Sequence, residues 1–466
     1  MTRPTIELDP ERAEAILLRY AGSGPRYTSY PTAPTWSDAY GAADFEADLA
    51  SSASGADLSV YVHVPFCRSL CHFCACNRVI TRKSEPPARY LDTIEREIGR
   101  VRAALAQERP VVQHHWGGGT PTHLDPAQVK RLFRAVNDAF PAVPGAEISL
   151  EVDPRVTSDA HIDALRECGF NRISLGVQDF EPRVQTAIHR EQSPEMTGRL
   201  VERARASGFE SVNLDLIYGL PFQTLESTER TLDEVIAIAP DRIALYAYAH
   251  VTWVAKQQRG FESKDLPAPS LRLRLQLGAI RRLLEAGYEY IGMDHFARPD
   301  DELARAVRER TLRRNFMGYT TRAGVDLIGL GPSSISELSR SYAQSVRELE
   351  PWHEAVDAGR LATLRGHRLT PDDLERRWVI GEIMCHGEVR AAEWRARFGT
   401  DFANRFASER AALEPFVSDE LVELEPEGGL RVTPLGRLVL RNVAMVFDAY
   451  LAEQRSASKP LFSQTV

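Results

Sequence analysis

Long apolar runs are missing from this chain. No span approaches the about 20 consecutive apolar residues of a membrane helix, and the most apolar stretch, Ile243 to Val254, is interrupted by Tyr246, Tyr248 and His250. No membrane role is expected. Cysteine is scarce too: six in 466 residues are too few for a disulfide-stapled secreted scaffold. The N-terminus carries no charged-then-apolar signal segment, so a cytoplasmic location is expected. Positive charge is not in excess, since 57 Lys and Arg face 65 Asp and Glu, a net of -8. That balance disfavours nucleic acid and anionic lipid as partners. With 43% apolar and 26% charged residues, the chain is an ordinary globular sequence, long enough for two or three domains.

The few cysteines are concentrated. Cys67, Cys71, Cys74 and Cys76 stand within ten residues, and the C-x3-C-x2-C spacing of the first three suits three corners of a [4Fe-4S] cluster. Cys76 is too near Cys74 to reach the fourth corner and is expected beside the cluster. One iron is then left open to chelate S-adenosylmethionine (SAM), whose reductive cleavage yields a 5'-deoxyadenosyl radical. This spacing is the signature of the radical SAM superfamily. A structural zinc site is the weaker reading, because only Cys71 and Cys74 have zinc-type spacing. A four-cysteine electron-transfer cluster would need Cys168 or Cys385, both in apolar, helix-like stretches.

From about residue 56, β-rich runs alternate with amphipathic ones at the size of a βα unit. Strands are expected at 59–65, 111–116, 147–152, 172–177, 211–217, 242–249 and 288–293. Asp125 before Pro126, Ser158 and Thr224 are expected helix caps. The fold class is therefore α/β, a partial (β/α) barrel over 56–335. Residues 1–55 form an N-terminal lid or extension, whose turn-rich, aromatic 22–32 reads as ordered. Residues 336–466 form a C-terminal, mostly helical domain with a small winged-helix-like hairpin near 429–437. Polar residues follow successive strands, where parallel α/β folds build their sites.

Gly117-Gly118-Gly119-Thr120 lacks the ending of a P-loop and is read as backbone that closes on the methionine end of SAM. Glu151 and Asp215 are placed to accept hydrogen bonds from its amino and ribose hydroxyl groups, or else to anchor barrel arginines. Phe73 stacks on an adenine or shields the cluster. A cofactor-free barrel hydrolase using Glu151, Asp153 and Asp215 is the reading from another class.

Six segments together are specific: Tyr61 to Cys67, the cysteine loop with its extra Cys76, His115 to Thr122, Gly176 to Phe180, Asp215 to Pro221 and Gly292 to Ala297. They resemble the oxygen-independent coproporphyrinogen III oxidase family, from Gly24 to Ser463. The resemblance implies a barrel holding two SAM molecules. Cys67, Cys71 and Cys74 would ligate the cluster, Tyr61, Gly118, Glu151 and Ile335 would hold the first SAM, and Phe73, Gly119, Thr120, Gln178, Arg190, Asp215 and Ala249 the second. Tyr61 and Cys76 would act in catalysis. It implies oxidative decarboxylation of two propionates of a porphyrinogen to vinyl groups. The alternative is a radical SAM methylase or haem-handling paralogue acting on another tetrapyrrole. A reductant protein such as flavodoxin or ferredoxin and a monomeric state are expected. Arg26, Arg190 and Arg298 are candidates to pair with substrate carboxylates. Met317, Ala247, His189, Trp378 and His386 depart from the family pattern.

Overall fold

The computed structural model describes residues 9–52, 55–252, 255–452 and 462. Val254, at the end of the apolar stretch, and Ser463, at the end of the resemblance, lie outside them. Six of the expected runs form consecutive parallel strands: β1 (Leu58–Val64), β2 (Val111–Gly118), β3 (Ala142–Val152), β4 (Arg172–Gln178), β5 (Ser211–Tyr218) and β6 (Arg242–Ala247). Helices such as Glu85–Ala104, Pro126–Ala139 and Leu225–Ile238 join them. Asp125 caps the second by accepting from the Gln128 N–H at 2.9 Å, and Thr224 caps the third by accepting from the Ser227 N–H at 3.1 Å.

The run at 288–293 is not a seventh parallel strand. It is β7 (Glu289–Gly292), an edge strand turned back on β8 (His295–Ala297), which itself runs antiparallel to β6. The seventh parallel strand is β9 (Asp326–Leu330), paired with β1 on its far side. Its five residues lie between Gly324 and Gly331 and follow a hairpin rather than a helix, so the βα period does not announce it. Strands β10 (Ile335–Leu338), β11 (Ser341–Ser345) and β12 (Thr363–Arg368) continue the sheet in antiparallel sense. The domain boundary expected after residue 335 therefore falls inside the sheet, because the hairpin ladder carries on from β9. The strand order is β12-β11-β10-β9-β1-β2-β3-β4-β5-β6-β8-β7, open at β12 and β7. One cavity of ≈ 140 Å³ takes lining residues from β2 through β8, so the sheet curls into a partial barrel.

Beyond Arg368 the chain is mostly helical, with Pro371–His386 as its long helix and a small antiparallel sheet that includes the hairpin strands Val422–Leu424 and Leu430–Val432. The segment 22–32 is ordered and ties this region to the barrel. Arg441 donates to the carbonyls of Gly24 and Pro25, Tyr27 to Asp448 at 2.9 Å, and Arg26 pairs with Asp294 just before β8.

Between sheet and helices, Trp116 and Phe133 pack on Phe170 with ring centroids 5.1 and 5.6 Å away, and Phe170 is fully buried. Phe170→Ala should cost about 3–5 kcal/mol of stability through the lost contacts and the cavity left behind. Urea unfolding midpoints of the two proteins measure it.

Candidate active site

Side chains alternate along a strand, and here the alternation separates apolar from polar. Ile173, Leu175 and Val177 of β4 and Val212, Leu214 and Leu216 of β5 are buried on the helix side. Their neighbours point into the barrel: Tyr61 of β1, His115 of β2, Ser149 and Glu151 of β3, Ser174 of β4, Asn213 and Asp215 of β5. Polar partners hold them. His115 Nδ1 bonds Ser149 Oγ at 2.8 Å and its Nε2 lies 3.7 Å from Glu151, which also accepts from the Gly118 N–H at 3.2 Å. Tyr61 bonds His63 at 3.0 Å. Asp215 accepts from Ser174 at 3.0 Å and from Asn213 at 2.8 Å.

The two carboxylates are driven apart in acidity. Burial disfavours ionised Glu151, but His115, the Gly118 N–H and His63 outweigh it and hold its carboxyl below the usual range. Burial, followed by the charge of Glu151, pushes Asp215 up to about 7 against the pull of Ser174 and Asn213. One anionic carboxyl and one that titrates near neutrality thus share the interior.

The cysteine loop leaves β1 at the same end of the sheet. Cys67 Sγ lies 3.6 Å from the Thr120 hydroxyl, and Cys71 Sγ accepts from Arg155 at 3.5 Å and Arg190 at 3.6 Å. Asp153 grips both arginines, at 2.7 and 3.2 Å, and Arg190 also donates to the Gly176 carbonyl at 2.6 Å. A Cβ at Gly176 would stand 2.8 Å from Gln178 Nε2 and 2.9 Å from the Arg190 guanidinium, so a side chain there would displace one of them. Cys74 and Cys76 shift each other's acidity, Cys74 down to about 6 and Cys76 up. Gln258 donates to the Phe73 carbonyl at 2.8 Å and to the Ala249 carbonyl at 3.0 Å, joining the loop to the end of β6. Phe73 itself packs on the apolar group of Ile188, Leu220, Tyr248 and Phe261.

Cys67, Cys71 and Cys74 lie near enough for the charges of the other two to act on Cys67, yet among the described residues no three His, Cys, Asp or Glu side chains converge on an ion-sized point. A [4Fe-4S] cluster fits this set, since each of its thiolates binds a different iron and two guanidiniums face the Cys71 sulfur.

The glycine run lets the backbone pack closely within the protein. A Cβ at Gly119 would lie 2.7 Å from the Pro65 and Phe66 backbone, at Gly118 2.6 Å from the His63 ring, and at Gly117 2.9 Å from Glu151. Gln178 has a left-handed φ of +71° at the end of β4. Ile335 stands apart, opening β10 with its backbone against Gly329. The hydrolase reading fails on Asp153, which is buried and locked between Arg155 and Arg190 instead of facing Glu151 and Asp215. Of the three candidate arginines only Arg26 faces the interior, its guanidinium 5.5 Å from the Tyr246 ring centre. Arg190 is engaged at the cysteine loop. Arg298 is half-exposed beside Asp300, with its N–H on Asp241 at the opposite end of β6.

Sequence reasoning missed Arg155, His63, His115, Ser174, Asn213 and Gln258. The strand alternation that places Tyr61, Glu151 and Asp215 also places His63, His115, Ser174 and Asn213. Gln258 carries no such signal, being on the irregular stretch after β6. Among the departures, Met317 lines the interior cavity, Ala247 ends β6, and His189 bonds the Leu70 carbonyl at 2.7 Å. Trp378 and His386 lie on the helix Pro371–His386.

Two outcomes follow from this geometry. Gly119→Ala forces backbone apart at the root of the cysteine loop and should lower iron content after anaerobic reconstitution several-fold, read by iron analysis and visible absorbance. Asp215, with a folded pKa above the unfolded value of 3.8, favours folding fully at low pH and loses that advantage as pH rises toward 7. Wild type should lose about 2–4 kcal/mol between pH 4 and pH 8 that Asp215→Asn does not lose, measured by urea unfolding of cluster-free protein.

Comparison with known proteins bears on the family. Residues 61–235 match the radical SAM superfamily and residues 369–439 the HemN C-terminal domain. The oxygen-independent coproporphyrinogen III oxidase of Escherichia coli is 46% identical over 440 residues, 94% of this chain and 96% of that protein. The protein of that name from Pseudomonas aeruginosa is 44% identical over 98% of this chain and 100% of its own. The solved structure of the Escherichia coli coproporphyrinogen III oxidase, HemN, described as a radical SAM enzyme, superposes with a TM-score of 0.89 at 43% identity, covering 94% of this chain and 98% of that one. Identity at this level across both the barrel and the helical region means that this chain belongs to the oxygen-independent coproporphyrinogen III oxidase family of the radical SAM superfamily.

Proposed function

We propose that this chain converts two propionate side chains of coproporphyrinogen III to vinyl groups by oxidative decarboxylation, giving protoporphyrinogen IX for haem biosynthesis. The observation that carries this reading is the C-x3-C-x2-C loop, seated on a glycine run and backed by Arg155 and Arg190, in a chain that matches the family along nearly its full length. When bound, the [4Fe-4S] cluster and SAM would supply a 5'-deoxyadenosyl radical as hydrogen-atom acceptor for a propionate β-carbon; the carboxyl would leave as carbon dioxide and the remaining electron would pass to an external one-electron acceptor.

The protein's part is to bind, orient and exclude water. Cys67, Cys71 and Cys74 hold the cluster. Arg155 and Arg190, fixed by Asp153, steady the Cys71 sulfur, and Cys76 rests on Cys74 as a catalytic neighbour rather than a ligand. Tyr61, Gly118, Glu151 and Ile335 hold the first SAM, with anionic Glu151 matched to its ammonium group. Phe73, Gly119, Thr120, Gln178, Asp215 and Ala249 hold the second, and Arg190 stiffens that wall through Gly176 and Asp153. Arg26, over Tyr246, and Arg314, over the Tyr319 ring at 4.7 Å, meet substrate carboxylates. The functional division we favour is a tie formed by 1–55, a barrel that runs on to Arg368 and a helical cover beyond it. The chain works as a cytoplasmic monomer reduced by a protein such as flavodoxin or ferredoxin.

Anaerobically reconstituted protein with coproporphyrinogen III, SAM and dithionite should yield a porphyrinogen lacking two carbon dioxide units, with methionine and 5'-deoxyadenosine in step. SAM cleavage without decarboxylated product would overturn the substrate. Cys71→Ala should lose the cluster, whereas Cys76→Ser should keep its iron and lose turnover. Met317→Gln tests the departure in the interior cavity: turnover changed by less than about threefold is expected, because the Met317 N–H, not its side chain, makes the turn bond to Asn315 at 2.9 Å.

A further inference from the structure

The cysteine loop lies on a stretch of chain that carries no carboxylate of its own. Between Asp57 and Glu85 there is no Asp or Glu, in a chain with 65 of them and a net charge of -8. That zone carries Arg68, Arg78, Arg82 and Lys83, and Lys256 and Arg259 flank the loop on its other side. Backbone contacts bring them together. Phe66–Cys67 pairs in parallel with Val79–Ile80, the Arg82 guanidinium reaches the Arg68 carbonyl at 3.4 Å, and Arg78 donates to the Cys76 carbonyl at 2.8 Å. On the far flank, Gln257, between Lys256 and Arg259, donates to the Cys74 carbonyl, and Gly260 packs on the His72 ring.

None of these six cations makes an ion pair with a carboxylate among the described residues, although arginines elsewhere on the surface commonly do, as in Arg131 with Asp92 and Glu95 or Arg282 with Asp233. All but Arg78 are exposed. Next to Arg78 and Arg82 along the chain, paired with Cys67, stands Ile80, 43% exposed and one of three large apolar side chains so placed among the described residues. An apolar centre rimmed by unpaired charge is the anatomy of a docking site. The loop's own Ala75 and Cys76 are exposed at its edge.

We propose that this face, centred on Ile80 and rimmed by Arg68, Arg78, Arg82, Lys83, Lys256 and Arg259, docks an acidic one-electron carrier protein. The inference rests on the radical SAM reading. Each SAM cleavage consumes one electron, the carrier is oxidised by one electron as the cluster is reduced by one, and transfer is fast only when the donor sits against the loop. Unpaired cations steer an acidic partner to that spot, and such rim charges act through association rate and salt dependence.

The test titrates the reconstituted protein with an acidic flavodoxin and, separately, an acidic ferredoxin at low ionic strength, reading the dissociation constant and the rate of carrier oxidation. Arg82→Glu with Lys83→Glu, and independently Lys256→Glu with Arg259→Glu, should each weaken binding at least about tenfold, and wild-type affinity should fall steeply toward about 0.5 M salt. Arg281→Glu, on the outer face of the helix Pro269–Glu285, should change neither. SAM cleavage driven by dithionite should persist in all variants. Unchanged affinity in both double variants, equal loss in Arg281→Glu, or no binding of either carrier to wild type would overturn the proposal. Failure of dithionite to drive SAM cleavage in wild type would instead overturn the radical SAM reading.

Discussion

The end of β2 lies against the end of β1 more closely than any side chain would allow, and the site is built on that contact. The Gly119 N–H donates to the Val64 carbonyl and the Thr120 N–H to the Phe66 carbonyl, both at 2.8 Å. On the other side, Val79 donates to Pro65 at 2.7 Å and Thr81 to Cys67 at 3.0 Å. Residues 64–67 are thus clamped from both flanks before the cysteine loop begins. Gly118, with φ of +115° over the His63 ring, turns the backbone so that its N–H meets Glu151. One close approach therefore sets the first thiol, the Thr120 hydroxyl beside it and the orientation of the interior carboxylate.

Charge inside the molecule is arranged in two separate compartments. In the barrel, Glu151 is held ionised by neighbours that donate to it, and burial together with its charge raises Asp215 to about 7, so the pair is one anion and one carboxyl that titrates near neutrality. At the cysteine loop the order is reversed. Two guanidiniums and one carboxylate, Asp153, leave a local positive excess that faces a sulfur. A buried Arg–Asp–Arg group of this kind is weak evidence for stability, but here its geometry is used twice, to hold Cys71 and to brace the end of β4 through Gly176.

The N-terminal segment has a structural part that its turn-rich composition does not reveal. It is fastened to the C-terminal region by Arg441, Asp448 and Ala449 and to the barrel by Arg26. Arg26 accordingly depends on both ends of the chain for its position near Tyr246. The sheet joins the parts in the same way. Three antiparallel strands past Gly331 carry it beneath the helix Pro371–His386, where Arg377 pairs with Glu337 of β10 at 2.6 Å.

What the sequence determined by itself is local and periodic. The C-x3-C-x2-C spacing of Cys67, Cys71 and Cys74 is the radical SAM signature, and the family match over residues 61–235 agrees with that superfamily. Six strands and the caps at Asp125 and Thr224 are legible because a half-buried strand alternates and a helix start needs a side-chain acceptor. The same alternation would have given His63, His115, Ser174 and Asn213. Only the tertiary structure decided the rest. β9 joins β1 across more than 250 residues, Arg190 and Arg155 converge on Cys71 from separate elements, and of the equal candidates Arg26 and Arg298 only Arg26 faces the interior. Nothing local separates these cases, since an arginine or a five-residue apolar run looks the same wherever the chain carries it. Position in three dimensions comes from which strands pair, and pairing over that distance is set by burying the whole sheet at once.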